Sequence, residues 1–134
     1  MKKKVLFICT HNAARSQMAE GLLRSLACDR YEVFSAGTEP GAVHPYAVKV
    51  MAEIGMDISL HRSKNVDKFA GLPIDMVITV CDHAKETCPI FPGGTQKIHH
   101  SFEDPSVLTG SEEAILDGFR HIRDKIMAWI LDTF

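Results

Sequence analysis

The sequence carries little net charge, few aromatic rings and no long apolar run, and each shortage removes a class of function. Fifteen basic residues against seventeen acidic ones leave a net charge of −2. Neither sign is gathered into a stripe, so neither nucleic acid nor a polybasic grip on a membrane surface is expected. No stretch has the length of a membrane span. The opening MKKKVLFIC imitates a secretory signal, but its apolar run from Val5 to Ile8 is too short for one and no small-residue cleavage site follows. Ile8 is also too bulky to precede a lipidated cysteine. Internal repeats, low-complexity tracts and linker-like stretches are missing. So are metal-ligand spacings: the seven histidines include His83, between Cys81 and Cys88, and the adjacent His99 and His100. There is no Cys-x-x-Cys pair and no helical His-x-x-x-His, and neighbours in a strand point to opposite faces. Neither a metal nor another cofactor is expected. What is left is a soluble, cytoplasmic chain whose four cysteines, Cys9, Cys28, Cys81 and Cys88, rest as thiols. Cysteine chemistry is then a better expectation than a disulfide scaffold.

At 134 residues, with 46% apolar and 24% charged positions, the chain fits one domain, residues 1–134, that buries about two thirds of its surface without staples. Its apolar pattern switches between the strand and helix periods. Val5 to Ile8 is a continuous apolar run, as in a strand covered on both faces. From Ser16 the residues Met18, Ala19, Leu22, Leu23 and Leu26 recur at three and four, the stripe of a helix on a sheet. Tyr31 to Ser35 reads as a second strand. A second helix opens at Pro45, with Ala47, Val48, Met51 and Ile54 facing inward and Gly55 just past its end. Asp75 to Val80 gives a third strand and Gln96 to His99 a weaker fourth, after the Pro92-Gly93-Gly94 turn. The last helix begins with a capping box of Thr109 and Glu112 and repeats Ile115, Phe119, Ile122, Ile126 and Trp129 or Ile130 at helical spacing. Met51, Met56 and Met76 read as core filling. This alternation predicts an α/β fold: a small parallel sheet with right-handed crossovers and helices on both faces. Ligands of such sheets sit beyond the carboxyl ends of the strands, where Cys9, Cys81 and, a few residues past the fourth strand, Asp104 fall.

The loop Cys9-Thr10-His11-Asn12-Ala13-Ala14-Arg15-Ser16, set between a strand and a helix, carries the most specific chemistry. Backbone N–H groups from Thr10 to Ser16 can point inward as an anion nest. The following helix adds its positive end, and Arg15 can grip an oxyanion through two parallel hydrogen bonds. The same field should lower the Cys9 pKa and make this thiolate the nucleophile toward a tetrahedral oxyanion, with the Ser16 hydroxyl bonded to its sulfur. A buried cysteine and a surface arginine at an accidental spacing would look alike without the flanking strand and helix. Asp104 is a candidate general acid for the departing oxygen, although Asp-Pro alone marks ordinary turns. Cys28 has no partner at an informative spacing and reads as structural.

These residues, with Gln17-Met18-Ala19-Glu20, Ser35-Ala36-Gly37, Cys81 with Cys88, and Asp104-Pro105, resemble the low-molecular-weight phosphatase superfamily and, within it, the thioredoxin-coupled arsenate reductases. The resemblance covers the whole chain. It implies a four-stranded parallel sheet, arsenate as substrate, arsenite as product and thioredoxin as reductant. It also implies Cys9 as nucleophile, Cys81 as the thiol that attacks the cysteine of the arsenic adduct, and Cys88 as the relay that moves the disulfide outward. The electron count agrees: reducing As(V) to As(III) takes two electrons, which two thiols supply by becoming a disulfide, whereas phosphate-ester hydrolysis takes one thiolate and an acid. Two residues depart from the family pattern. His11 stands where these loops usually have glycine, so a left-handed backbone there would be uncomfortable, while Asn12 beside it tolerates that geometry. Lys64 stands where some members carry an acid that helps hold potassium near Asn12, Glu20 and Ser35, which leaves open whether potassium binds.

Two other readings compete. A low-molecular-weight protein tyrosine phosphatase would use Cys9, Arg15 and Asp104 alone. It would also need an aromatic wall for the phosphotyrosine ring, which Pro105-Ser106-Val107-Leu108 does not supply. A noncatalytic oxyanion or arsenic sensor would need the nest and no thiol relay. Weak hydrolysis of small aryl phosphates is expected as a side activity, because the nest recognises tetrahedral charge and not the central atom. Between Cys81 and Cys88, Ala84-Lys85-Glu86 favours helix. Seven residues of helix rise roughly 10 Å, whereas a disulfide needs its Cα atoms within about 7 Å, so that segment must unwind before Cys88 captures Cys81.

Overall fold

The structure is a computed structural model that describes residues 2–81 and 95–134. Along the chain these form β1 (Lys3–Cys9), α1 (Arg15–Ala27), β2 (Tyr31–Gly37), α2 (Pro45–Ala52), β3 (Met76–Thr79), β4 (Gln96–His99) and α3 (Glu112–Thr133), with 3-10 turns at Val66–Phe69 and Pro105–Val107. The four strands make one sheet in the order β2-β1-β3-β4, every pair parallel. Val5, Leu6, Phe7 and Ile8 in central β1 are fully buried, because side chains of both orientations meet a cover and alternation has no use there. The register brings the strand ends together: Cys9 lies beside Gly37, and Ile8 beside Thr79. The loops after β1, β2 and β3 therefore leave from one edge.

Helix α1 packs on β1 and β2, and α3 lies against both α1 and α2. On β2, Ser35 faces α1, where its hydroxyl donates to Glu20 at 2.6 Å. Phe34 then points to the opposite face and meets Phe69 of the first 3-10 turn at 5.6 Å between ring centroids. Among the described residues this short turn, and not a full helix, covers that part of the sheet.

Several boundaries and stripes differ from the sequence expectation. Strand β1 begins at Lys3 and β2 runs on to Gly37, while β3 stops at Thr79. Leu26 is exposed, and α1 instead buries the polar Ser16, Gln17 and Glu20, which the site below uses. In α2, Val50 is buried and Val48 and Ile54 are only half-buried. Gly55 has φ +78°; the N–H groups of Gly55 and Met56 bond the carbonyls of Ala52 and Met51, each at 3.0 Å. That left-handed cap is where glycine is favoured. The expected capping box of Thr109 and Glu112 does not form. Ser111 caps α3 by accepting the Ala114 N–H at 3.2 Å, and Glu112 is already the first helical residue. The α3 stripe is Leu116, Phe119, Ile122, Ile126 and Ile130, with Arg123 buried beside it. Arg123 donates to the Val50 carbonyl at 2.7 Å and to Glu53 at 3.1 Å, tying α3 to the end of α2.

Candidate active site

Strand β1 ends at Cys9 and α1 starts at Arg15, so the chain must reverse within the intervening loop. The left-handed residue that allows this is Asn12, with φ 51°; it is the sole non-glycine residue of positive φ among the described residues, and His11 is spared that geometry. A Cβ on Gly37 would sit 2.6 Å from the Thr10 carbonyl oxygen and 2.8 Å from the Asn12 nitrogen. Only glycine lets the end of β2 pass this close beneath the loop.

Every carbonyl from Cys9 to Ala14 is taken by a donor outside the loop's hollow. Cys9, Thr10, His11 and Ala13 accept from the backbone N–H groups of Thr38, Glu39, Gly41 and His44, and Ala14 accepts from Met18. The Asn12 carbonyl accepts from the Gln17 amide at 3.1 Å. With the oxygens turned away, the loop's N–H groups are left to face the hollow, which is what an anion nest requires. The Asn12 N–H already donates to the Cys9 sulfur at 3.2 Å.

A chain of side-chain bonds with forced directions sits behind Cys9. Arg24 donates to His61 Nε2 at 3.3 Å, so the proton is on Nδ1, which bonds the Gln17 oxygen at 3.0 Å. The Gln17 amide donates to Asn12 Oδ1 at 2.9 Å, and the Lys64 backbone N–H reaches the same oxygen at 2.9 Å. Asn12 Nδ2 must then be the donor to Ser16 at 2.7 Å and to Ser35 at 3.0 Å. That leaves the Ser16 hydrogen free for the Cys9 sulfur, 2.8 Å away. Glu20 anchors the far end, with Ser35 at 2.6 Å, Arg24 at 3.0 Å and His61 at 3.4 Å. Lys64 also belongs to this region: burial lowers its pKa, while the Glu20 charge pulls it back up.

The expected lowering of the Cys9 pKa is not found. Cys9 is only 2% exposed, and burial pushes its thiol up, outweighing the Ser16 hydrogen bonds, the Arg15 charge and the Asn12 N–H, which all pull it down. Ser16 supplies the largest of these counter-influences. In the reduced protein, Ser16→Ala should therefore move the pH dependence of Cys9 alkylation upward and slow labelling at neutral pH severalfold. Iodoacetamide labelling followed by peptide mapping measures this at Cys9 alone; unchanged labelling would show that Ser16 does not act on the thiolate.

Arg15 is held between the Phe102 carbonyl, 3.2 Å from Nη1, and Asp104, 3.5 Å from Nη2. Burial raises the Asp104 pKa, but hydrogen bonds from Ser106 and the charges of Arg15 and His11 outweigh it and hold the carboxyl below its usual range. Asp104 is thus a carboxylate near neutral pH. A pocket of about 230 Å³, part of it open to solvent, is lined by Cys9, His11, Ala13, Ala14, Arg15, Asp104 and Ser106. The structure so brings together the loop from Cys9 to Ser16 and Asp104, as expected. Cys81 is buried with its sulfur 3.2 Å from the Thr10 hydroxyl, against the same loop. Cys28 lies apart and exposed. Cys88, and with it the segment expected to unwind, lies outside the described residues. Trp129 lies tilted against His100 and edge-on to Phe102 and does not line the pocket.

Ser106, Gln17 and His61 went unassigned from sequence. Ser106 had a readable signal: an aspartate that accepts from the N–H two residues on is a common turn, and Asp104 does so at 2.9 Å. His61 had none, since its partners are remote in sequence.

The profile of the low molecular weight phosphotyrosine protein phosphatase family matches residues 4–130. The chain is 42% identical over 125 residues to an arsenate reductase of Halalkalibacterium halodurans, covering 93% of this chain and 90% of that one. Among solved structures it is similar to an arsenate reductase in the phosphate binding state, with TM-score 0.79 and 33% identity over 97% of this chain and 95% of the other. It is also similar to a thioredoxin-dependent arsenate reductase of Corynebacterium glutamicum, with TM-score 0.64 and 29% identity over 99% of this chain and 64% of the other. Among the described residues, no helix is long and apolar enough to cross a membrane.

Proposed function

Since the chain belongs to the low-molecular-weight phosphotyrosine protein phosphatase family, we propose that it reduces arsenate to arsenite, with thioredoxin restoring its thiols. The Cys9 thiolate attacks arsenic held in the nest, and one arsenate oxygen departs as water after taking up protons. Cys81 then attacks the Cys9 sulfur. The sulfur–arsenic bond breaks with its electron pair remaining on arsenic, which leaves as arsenite, and a Cys9–Cys81 disulfide forms. Cys88 displaces Cys9 from Cys81, and thioredoxin reduces the resulting Cys81–Cys88 bond. Asp104, ionised at rest, becomes a proton donor when an arsenate dianion engages Arg15 and puts negative charge beside it, both of which raise its pKa.

The observation that carries this reading is Cys81 against Thr10: a second buried thiol at the nucleophile's loop serves a two-electron reduction and has no part in ester hydrolysis. The described pocket lining also offers no Phe, Tyr or Trp ring for phosphotyrosine. This chemistry fits the cytoplasm, where such thiols stay reduced. The test is arsenate-dependent NADPH oxidation with thioredoxin and its reductase, beside glutathione with glutaredoxin. Turnover with thioredoxin is expected. Arsenate binding without turnover in either system would favour the sensor reading, and turnover with glutaredoxin alone would overturn the assignment of reductant.

A further inference from the structure

We infer that the His11 imidazole is a second cationic contact for the substrate oxyanion, added at the pocket wall by a side chain where glycine would leave open space. The inference rests on the oxyanion site proposed above. Three observations carry it. First, the loop does not need glycine at this position, because the left-handed turn is made by Asn12 and a side chain at position 11 costs the backbone nothing. Second, the ring is oriented: His11 Nδ1 lies 2.9 Å from the Glu39 carbonyl oxygen. A carbonyl only accepts, so Nδ1 is the donor in this bond and Nε2 is the nitrogen that can meet a ligand. Third, the residue lines the same pocket as Cys9, Arg15 and Asp104, and its charge is felt there, since it helps hold Asp104 ionised.

The charged and titratable groups that line the pocket with this imidazole are Cys9 and Arg15 from its own loop and Asp104 from the turn after β4, and His44, at the start of α2, faces the same Asp104 carboxylate. The imidazole and the Asp104 carboxylate interact across that pocket. An oxyanion seated in the nest adds negative charge beside Arg15 and draws the proton onto Nε2, which then donates to the bound oxygen. Binding an oxyanion is thereby coupled to proton uptake, a property that the nest and Arg15 alone do not confer.

Sulfate is the suitable probe, because it stays a tetrahedral dianion from about pH 5 to pH 9 and any pH dependence in its affinity belongs to the protein. Calorimetric titration of the fully reduced protein at constant ionic strength should show sulfate binding more tightly at about pH 6 than at about pH 8.5. His11→Gln keeps a polar side chain without the charge. It should bind sulfate about threefold to tenfold more weakly than the parent at the lower pH and within about twofold of it at the higher, a size set by one screened charge at the surface. His11→Arg, charged at both pH values, should hold the tight affinity throughout. Identical sulfate profiles for the parent and His11→Gln, with Arg15→Ala still abolishing binding, would overturn the inference and leave the oxyanion site standing. Absence of sulfate binding by the parent at either pH would overturn both.

Discussion

Replacing Cys9 with serine will remove arsenate turnover, by at least about a thousandfold, while leaving the fold intact. Serine keeps the size and hydrogen-bonding capacity of cysteine, so the Ser16 and Asn12 contacts at 2.8 Å and 3.2 Å retain a partner. What it cannot do is exchange a bond to arsenic for a bond to another sulfur. The loss is therefore of covalent and redox chemistry and not of affinity, and losses on removing a nucleophile are of this order or larger. Oxyanion binding by Cys9→Ser, measured by calorimetry, should stay within a few-fold of the parent. Arg15→Ala should do the reverse and weaken binding as well as rate, since Arg15 is the guanidinium that lines the described pocket. Cys81→Ser separates the two chemistries of the site. It should lose arsenate turnover yet keep slow hydrolysis of small aryl phosphates, which needs only Cys9, Arg15 and Asp104. Appreciable multiple turnover of arsenate by Cys9→Ser would remove the nucleophile assignment. Loss of aryl phosphate hydrolysis in Cys81→Ser would show that Cys81 supports the nest itself.

Gly37→Ala is expected to damage stability and site together, although residue 37 is no part of the pocket lining. The added methyl would meet the Thr10 oxygen at 2.6 Å and the Asn12 nitrogen at 2.8 Å. Both are backbone atoms and cannot swing aside as a side-chain tip can. The strand end and the loop must part, which strains the Thr38 and Glu39 bonds to the loop carbonyls, at 3.1 Å and 2.8 Å in the parent. A cost of about 3 kcal/mol follows from forced overpacking. In urea the midpoint should fall at unchanged slope, and sulfate affinity should fall at least about tenfold in protein that is still folded. Full affinity and an unshifted midpoint would mean that the loop tolerates lifting off β2.

The strands, the first and last helices and the placement of the loop from Cys9 to Ser16 are legible in the sequence because each depends on residues close together in the chain. Val5 to Ile8 announces a doubly covered strand by itself, and Cys9 to Ser16 holds the candidate nucleophile, the candidate nest and the arginine in one turn. The start of α3 differs from the sequence expectation because Thr109 and Ser111 are both hydroxyl residues ahead of acidic ones. The choice between them falls to Gly110, whose φ of 122° turns the chain so that Ser111 and not Thr109 meets the first free N–H groups. Leu26 and Val48 failed for another reason: periodicity shows a stripe but not how far along it a neighbour reaches. His61 and Lys64 join the loop only because the segment after α2 returns behind it, a packing event with no local trace. The Cys9 thiol shows the same limit in energetic form. Its donors are all adjacent in sequence and could be foreseen, whereas the burial that outweighs them is a property of the folded whole.

The outward-turned carbonyls of the loop bear on when the work of anion recognition is done. With each oxygen from Cys9 to Ala14 bonded elsewhere, the inward N–H dipoles are arranged during folding and not on encounter, so an arriving oxyanion finds a solvation shell already built and spends little of its binding energy on ordering the chain. The segment from Thr38 to His44 is then a strut for an electrostatic field. A loosening there would show as slower and weaker capture of anions, even though no atom of the Thr38 side chain lines the pocket.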